Sequence, residues 1–182
     1  MRRARRSVVS LVVALGGWVW VLAGPGIPLP AMGGEWLGLK IGKSTLEDAK
    51  RLLGGAIQEQ PDYWVFRGEG IQDRLNPDTV QVNIDPDSKV IRGIFVFPLW
   101  GVTNADIRKY FKKKGEVTTY GAFLDGIGGN YGAGTRCGQK LHYMQLENMC
   151  EVYEKEGALV IYDSRDLASE QEVVKLVLFC GQ

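Results

Sequence analysis

The sequence predicts an α+β fold: two tandem helix-plus-antiparallel-strand repeats forming a continuous sheet with helices on one face. Three observations predict it. A polar capping pattern precedes an apolar helical run twice, at Ser44–Glu47 and at Thr103–Asp106. Each run is followed by short segments of strand character, and one of them alternates strictly with period two. Both units also share a glycine after the helix and the same order of strands. The expected boundaries are 1–34 for a leader and linker, 35–98 for the first repeat and 99–182 for the second.

The leader comes first. Arg2, Arg3, Arg5 and Arg6 precede an uncharged apolar stretch from Ser7 to Ala23. That pattern marks a signal peptide or an N-terminal membrane anchor, with its positive side left in the cytoplasm. The stretch is long for the first and short for the second. Cleavage after Ala23 or Ala31 and retention as a tether both stay open. Pro25 to Gly34 (PGIPLPAMGG) reads as a linker. The chain that follows is therefore expected to work after export: periplasmic, secreted or membrane-tethered.

In the first repeat Ser44 is expected to cap a helix, with Glu47 reaching back to it. Leu46, Ala49, Leu52 and Leu53 form its apolar face, and Gly54 ends it. Tyr63 to Phe66 is a short aromatic strand. Thr79 to Ile84 puts Val80, Val82 and Ile84 on one face. Asp85-Pro86-Asp87-Ser88 turns the chain, and Lys89 to Phe97 returns.

In the second repeat Thr103 and Asp106 take the roles of Ser44 and Glu47. Ile107, Tyr110 and Phe111 form the apolar face, and Gly115 ends the helix. Strands are expected at Val152–Glu154, Ala158–Asp163 and Glu172–Cys180. The turn between the last two is long and polar, with room for a helical turn. Arg92 and Lys175 hold matching positions in the two closing strands. Those strands are apolar on both faces, so both faces of the sheet must be covered by the chain, a partner or a duplicate.

Ile41-Gly42-x-Ser44-x-x-Glu47, the helix end Leu53-Gly54, the strand Trp64-Val65-Phe66 and the alternating strand before Val90-Ile91 resemble the BamE/β-lactamase-inhibitor-protein-like family. The doubled unit is similar to the tandem-repeat form of β-lactamase inhibitory proteins. The resemblance spans Ile41 to Phe97 and, more loosely, Gly101 to Phe179. It implies binding to another protein and no catalysis. BamE-like proteins are usually lipoproteins; here no cysteine follows the apolar leader.

Composition narrows the function classes. The chain has 22 basic against 21 acidic residues, and four of the arginines sit in the leader. The remainder is mildly acidic, which speaks against a nucleic-acid partner. Three cysteines, one histidine and no CxxC exclude a zinc site built on several such ligands. In an oxidising compartment Cys137 and Cys150 are the pair expected to bond; three unpaired thiols are the alternative. No cofactor is implied.

Chemistry-bearing motifs are sparse. Gly121 to Gly138 holds seven glycines in eighteen residues but matches no phosphate-binding pattern: GxxxxG at Gly129–Gly134 is followed by Thr-Arg, where Lys and then Ser or Thr are required. It reads as a flexible connection or a recognition loop. His142 has no nucleophile signature around it. The basic run Arg108, Lys109, Lys112, Lys113 and Lys114 suits a helix C-terminus. Aromatic residues are numerous, and Tyr and Trp are favoured at interfaces. The expectation is thus a non-enzymatic module that binds a protein partner through a sheet face and the Gly-rich loop, with Trp64, Trp100, Phe123, Tyr131 and Tyr143 as contacts. A small lipid- or ligand-binding envelope protein is the alternative. Membrane contact is expected only through an uncleaved leader helix.

Overall fold

The structure, a computed structural model, describes residues 34–126 and 144–180. Glu35–Trp36 (β1) and Leu39–Lys40 (β2) form a small hairpin. Its two turn residues, Leu37 and Gly38, have φ of +50° and +83°, the geometry that matches the right-handed twist of paired strands. Trp36 is buried there and stacks on Phe179 at 6.4 Å.

Helix α1 (Leu46–Leu53) begins one residue later than the sequence pattern suggests. Thr45 is its cap and Asp48 its third residue, in place of Ser44 and Glu47. Asp48 accepts from the Thr45 N–H at 2.8 Å and from its hydroxyl at 2.9 Å. These bonds favour the charged carboxylate, so they lower the Asp48 pKa. The shifted frame turns Leu46, Ala49 and Leu53 inward and leaves Leu52 exposed. Gly54 closes the helix at φ +85°, as expected.

Four strands follow where three are expected: Ala56–Glu59 (β3), Tyr63–Arg67 (β4), Pro77–Ile84 (β5) and Ile91–Pro98 (β6). Helix α2 (Asn104–Phe111) is next. Asp106 accepts from the Thr103 N–H at 3.1 Å and hydroxyl at 2.9 Å, as the sequence predicts. Its end differs: Lys112 takes the left-handed position at φ +57°. Gly115 lies beyond, where a Cβ would fall 2.9 Å from the Glu151 Cβ and from the Tyr153 ring. Close approach explains that glycine better than helix termination does.

Glu116–Thr119 (β7) and Tyr120–Gly126 (α3) were not legible in the sequence. Met149–Tyr153 (β8), a 3₁₀ turn at Glu154–Glu156, Ala158–Tyr162 (β9) and Val174–Cys180 (β10) complete the chain. The turn between β9 and β10 carries no helix.

The fold is mixed α+β, with few helices and one large sheet. Eight strands pair antiparallel in the order β3-β4-β5-β6-β10-β9-β8-β7. The order reads the same way inward from either edge. Local anchors match as well. Leu46 N–H donates to the Lys89 carbonyl and Ile91 N–H to that of Ser44; Asn104 N–H donates to the Glu172 carbonyl and Val174 N–H to that of Val102. Arg92 pairs with Asp85, and Lys175 with Asp163.

Helices α1 and α2 lie on one face, over Phe66, Val80, Val82, Ile94, Val160 and Val177. The expectation that all helices share that face is corrected by α3. Tyr120 and Phe123 pack with Phe95, Leu159, Ile161 and Leu178 in a separate cluster. Those residues alternate with the first set along the strands, so α3 covers the opposite face. The chain itself thus covers part of the second apolar face. Over β3–β5 that face carries Gln58, Tyr63, Val65, Arg67, Gln81 and Asn83, which are exposed or half-buried.

Candidate functional site

Among the described residues, three of the positions singled out by sequence, Trp64, Phe123 and Cys150, are structural. Trp64 lies on the helix-covered face of β4, packed against the core, with the Lys50 ammonium 4.3 Å from its ring centroid. Phe123 is buried in α3. Cys150 is a free, buried thiol whose Sγ donates to the Thr118 carbonyl at 3.5 Å. Burial pushes its pKa up to about 12. The expected Cys137–Cys150 bond is therefore corrected: Cys150 faces the apolar layer beside Leu159 and Ile161, and Cys180 is the disulfide-bonded cysteine. Tyr131, Cys137, His142 and Tyr143, with most of the Gly-rich segment and the whole leader, lie outside the described residues.

One buried polar cluster stands out. Arg108 Nε and Nη2 donate to Glu151 Oε1 at 3.1 and 2.8 Å, and the Tyr153 hydroxyl donates to Oε2. The Tyr162 hydroxyl is buried nearby without a hydrogen-bond partner among the described residues. Burial, then the Glu151 charge, holds both phenols protonated far above their usual range. Phe111 stacks on Tyr153 at 4.1 Å and roofs the cluster. Glu151 is fully buried beneath α2, so no solute reaches it without displacing the helix. The cluster ties α2 to the sheet. Among the described residues, no group of three or more His, Cys, Asp or Glu is placed to hold a metal, and no helix is long and apolar enough to cross a membrane.

The tip between β6 and α2 is different. Trp100 is 89% exposed, Leu99 is 44% exposed, and Ile57 on the edge strand is exposed as well. Trp100 is the one predicted contact among the described residues that stands in solvent. Its place is held by the backbone. Leu99 N–H donates to the Asn76 carbonyl at 2.8 Å, Gly101 turns at φ +105°, and Val102 drops back into the core.

The support is the segment from Gly68 to Asn76, which carries no periodic or capping pattern in the sequence. Leu75 plugs it into the core, and Asp73 Oδ1 accepts from the Leu75 N–H at 2.8 Å. A Cβ on Gly68 would fall 1.9 Å from the Pro77 carbonyl oxygen, so only glycine lets this segment lie against β5. Two open clefts flank the tip. One, of about 670 Å³, lies between Ile57, Arg67, Glu69, Asp78 and Leu99. The other, of about 510 Å³, lies between Arg74, Trp100, Val102, Asp106 and Lys109. Asn76 lines both. Adjacent exposed apolar residues after a proline, between a strand and a helix cap, were the sequence signal for this site.

No family model matches the chain, and no curated protein matches it. Among solved structures it is similar to a DUF4309 family protein (YjgB) from Bacillus subtilis, at 13% identity and a TM-score of 0.44, over 80% of this chain and 84% of that one.

Proposed function

We propose that the chain is an exported, non-enzymatic binding module that holds a protein partner at the Leu99–Trp100 tip. The observation that carries this reading is the exposure of Trp100 on an anchored turn. A large side chain held in solvent by its backbone loses little entropy on docking, and Trp is the residue most often found at interface hot spots. The sheet face expected to bind is covered by α3 on one side and mixed in polarity on the other, so the tip takes the central role. The small-ligand alternative wants an enclosed apolar cavity. The two clefts at the tip are open and lined by charged groups.

The module reads as a tandem duplication of the kind expected from its resemblance to the BamE/β-lactamase-inhibitor-protein-like family. The palindromic strand order and the paired helix-start hydrogen bonds support that reading. Gly34 donates to the Cys180 carbonyl at the end of β10, opposite the end of β6 that carries the tip. About seven residues of strand, or roughly 20 Å, lie between these ends.

The test is affinity capture from envelope extracts with the wild-type chain and with Trp100→Ala. The expected result is a specific protein held by the first and lost by the second, with both chains equally folded by circular dichroism. A partner held equally by both chains rules out the tip.

A further inference from the structure

From the proposed docking at this tip, we infer that the segment recognised there carries a carboxylate beside an apolar side chain: the apolar group lies against Trp100 and Leu99, and the carboxylate meets Arg74. The inference rests on the protein-binding reading and names its partner chemistry.

Charge around Trp100 is the basis. Arg74 and Lys109 line the cleft that Trp100 walls, with Asp106 as its one acid. Asp106 Oδ2 accepts two hydrogen bonds from Thr103, and its half-exposed side chain turns Oδ1 toward Lys109. Lys109 lies 3.8 Å from that carboxylate and is itself mostly exposed. Arg74 is exposed and makes no ion pair among the described residues. A guanidinium without a partner, next to an exposed indole, offers a planar donor fork for a carboxylate and an apolar wall for its neighbour.

The body of the protein selects between anions. With the four leader arginines set aside, 18 basic residues face 21 acidic ones, a formal charge of −3. A polyanion such as a nucleic acid would meet that net negative field over its whole length. A short acidic segment of a protein meets only the local positive cleft.

Random peptides displayed on phage, selected against the purified chain, test the inference. The expected winners carry Asp or Glu next to an aromatic or aliphatic residue. A synthetic winner should lose about tenfold in affinity for Arg74→Glu. Replacing its acidic residue with Lys should restore binding to that variant. Raising salt should weaken the wild-type complex. Winners that are basic or uncharged, or that bind Arg74→Glu unchanged, overturn the acidic-segment inference and leave the tip as a docking site. Winners that bind Trp100→Ala unchanged, or no enrichment at all, overturn the tip reading with it.

Discussion

Arg108 donates to the buried Glu151 at 2.8 Å, and this pair occupies the place that Lys50 and Trp64 occupy in the other half of the sheet. The ladder defines the match. Trp64 lies opposite Val82, and Val82 opposite Ile94; Glu151 lies opposite Val160, and Val160 opposite Val177. In each half a cation from the second turn of the helix reaches the same strand position. In the first half it rests on an aromatic face, and in the second it meets a carboxylate. Under the proposed duplication, one architectural role has taken two chemistries.

That difference sets unequal costs on the two sides of the ion pair. Arg108→Met leaves a fully buried carboxylate without its cation and should cost about 3 kcal/mol of stability. Glu151→Gln keeps the volume and leaves a partly exposed Arg108 able to turn to Glu170, 3.8 Å away, so it should cost less. Urea denaturation of the two variants measures the order. Equal losses would show that the carboxylate is not the more isolated partner.

The helix caps predict an acid dependence. The Asp106 pKa is held below the ordinary aspartate range, chiefly by the Thr103 N–H and hydroxyl. The charged form is favoured by folding, so its contribution is present above the unfolded pKa and lost as pH falls through the folded one. Asp106→Asn should therefore lower stability at neutral pH, by less than about 1 kcal/mol for so exposed a group. The gap should close below about pH 4, because the unfolded carboxylate titrates there. Paired denaturation curves over that range decide it; a gap that persists in acid contradicts the assignment.

The cysteines predict a thiol count. Cys150 is buried with its pKa raised to about 12, and Cys180 is disulfide-bonded. Iodoacetamide should leave the native chain unmodified and add one group after denaturation without reductant. Reduction should then expose all three cysteines of the sequence. Mass spectrometry reads the additions. Rapid native labelling of Cys150 would show that the layer under α3 is open.

Gly68 links fold to site. An added Cβ would strike the Pro77 backbone at 1.9 Å, and β5 cannot yield without moving Asn76, which anchors Leu99. Gly68→Ala should destabilise by about 2 kcal/mol or more. It should also weaken partner capture although Trp100 is intact. Capture unchanged in a destabilised variant would separate the segment from the tip.

The helices and the inner strands were legible because their signals are local. Thr103 and Asp106 needed only their own spacing, and Val80, Val82 and Ile84 only a period of two. The frame of α1 lies one residue beyond the cap that Ser44 and Glu47 offer, since Ser44-Thr45 and Glu47-Asp48 provide two overlapping caps. Burial of Leu53 rather than Leu52 marks the frame adopted, and that depends on the sheet below. Strands β3 and β7 and helix α3 were missed because they sit at edges or follow them, where apolar pattern is weak and pairing supplies the order.

Sequence alone determined the fold class, the positions of α1 and α2 and the inner strands of each half. These follow from periodicity and capping, which neighbouring residues specify among themselves. Only the tertiary structure decided which aromatics face water. Trp64 and Trp100 are the same residue type in similarly apolar surroundings, yet one is packed beneath a helix and the other stands in solvent. What separates them is where distant backbone comes to rest: α1 over β4, and the Gly68–Asn76 segment under Leu99. Burial is set by such long-range contacts, and no local pattern encodes them.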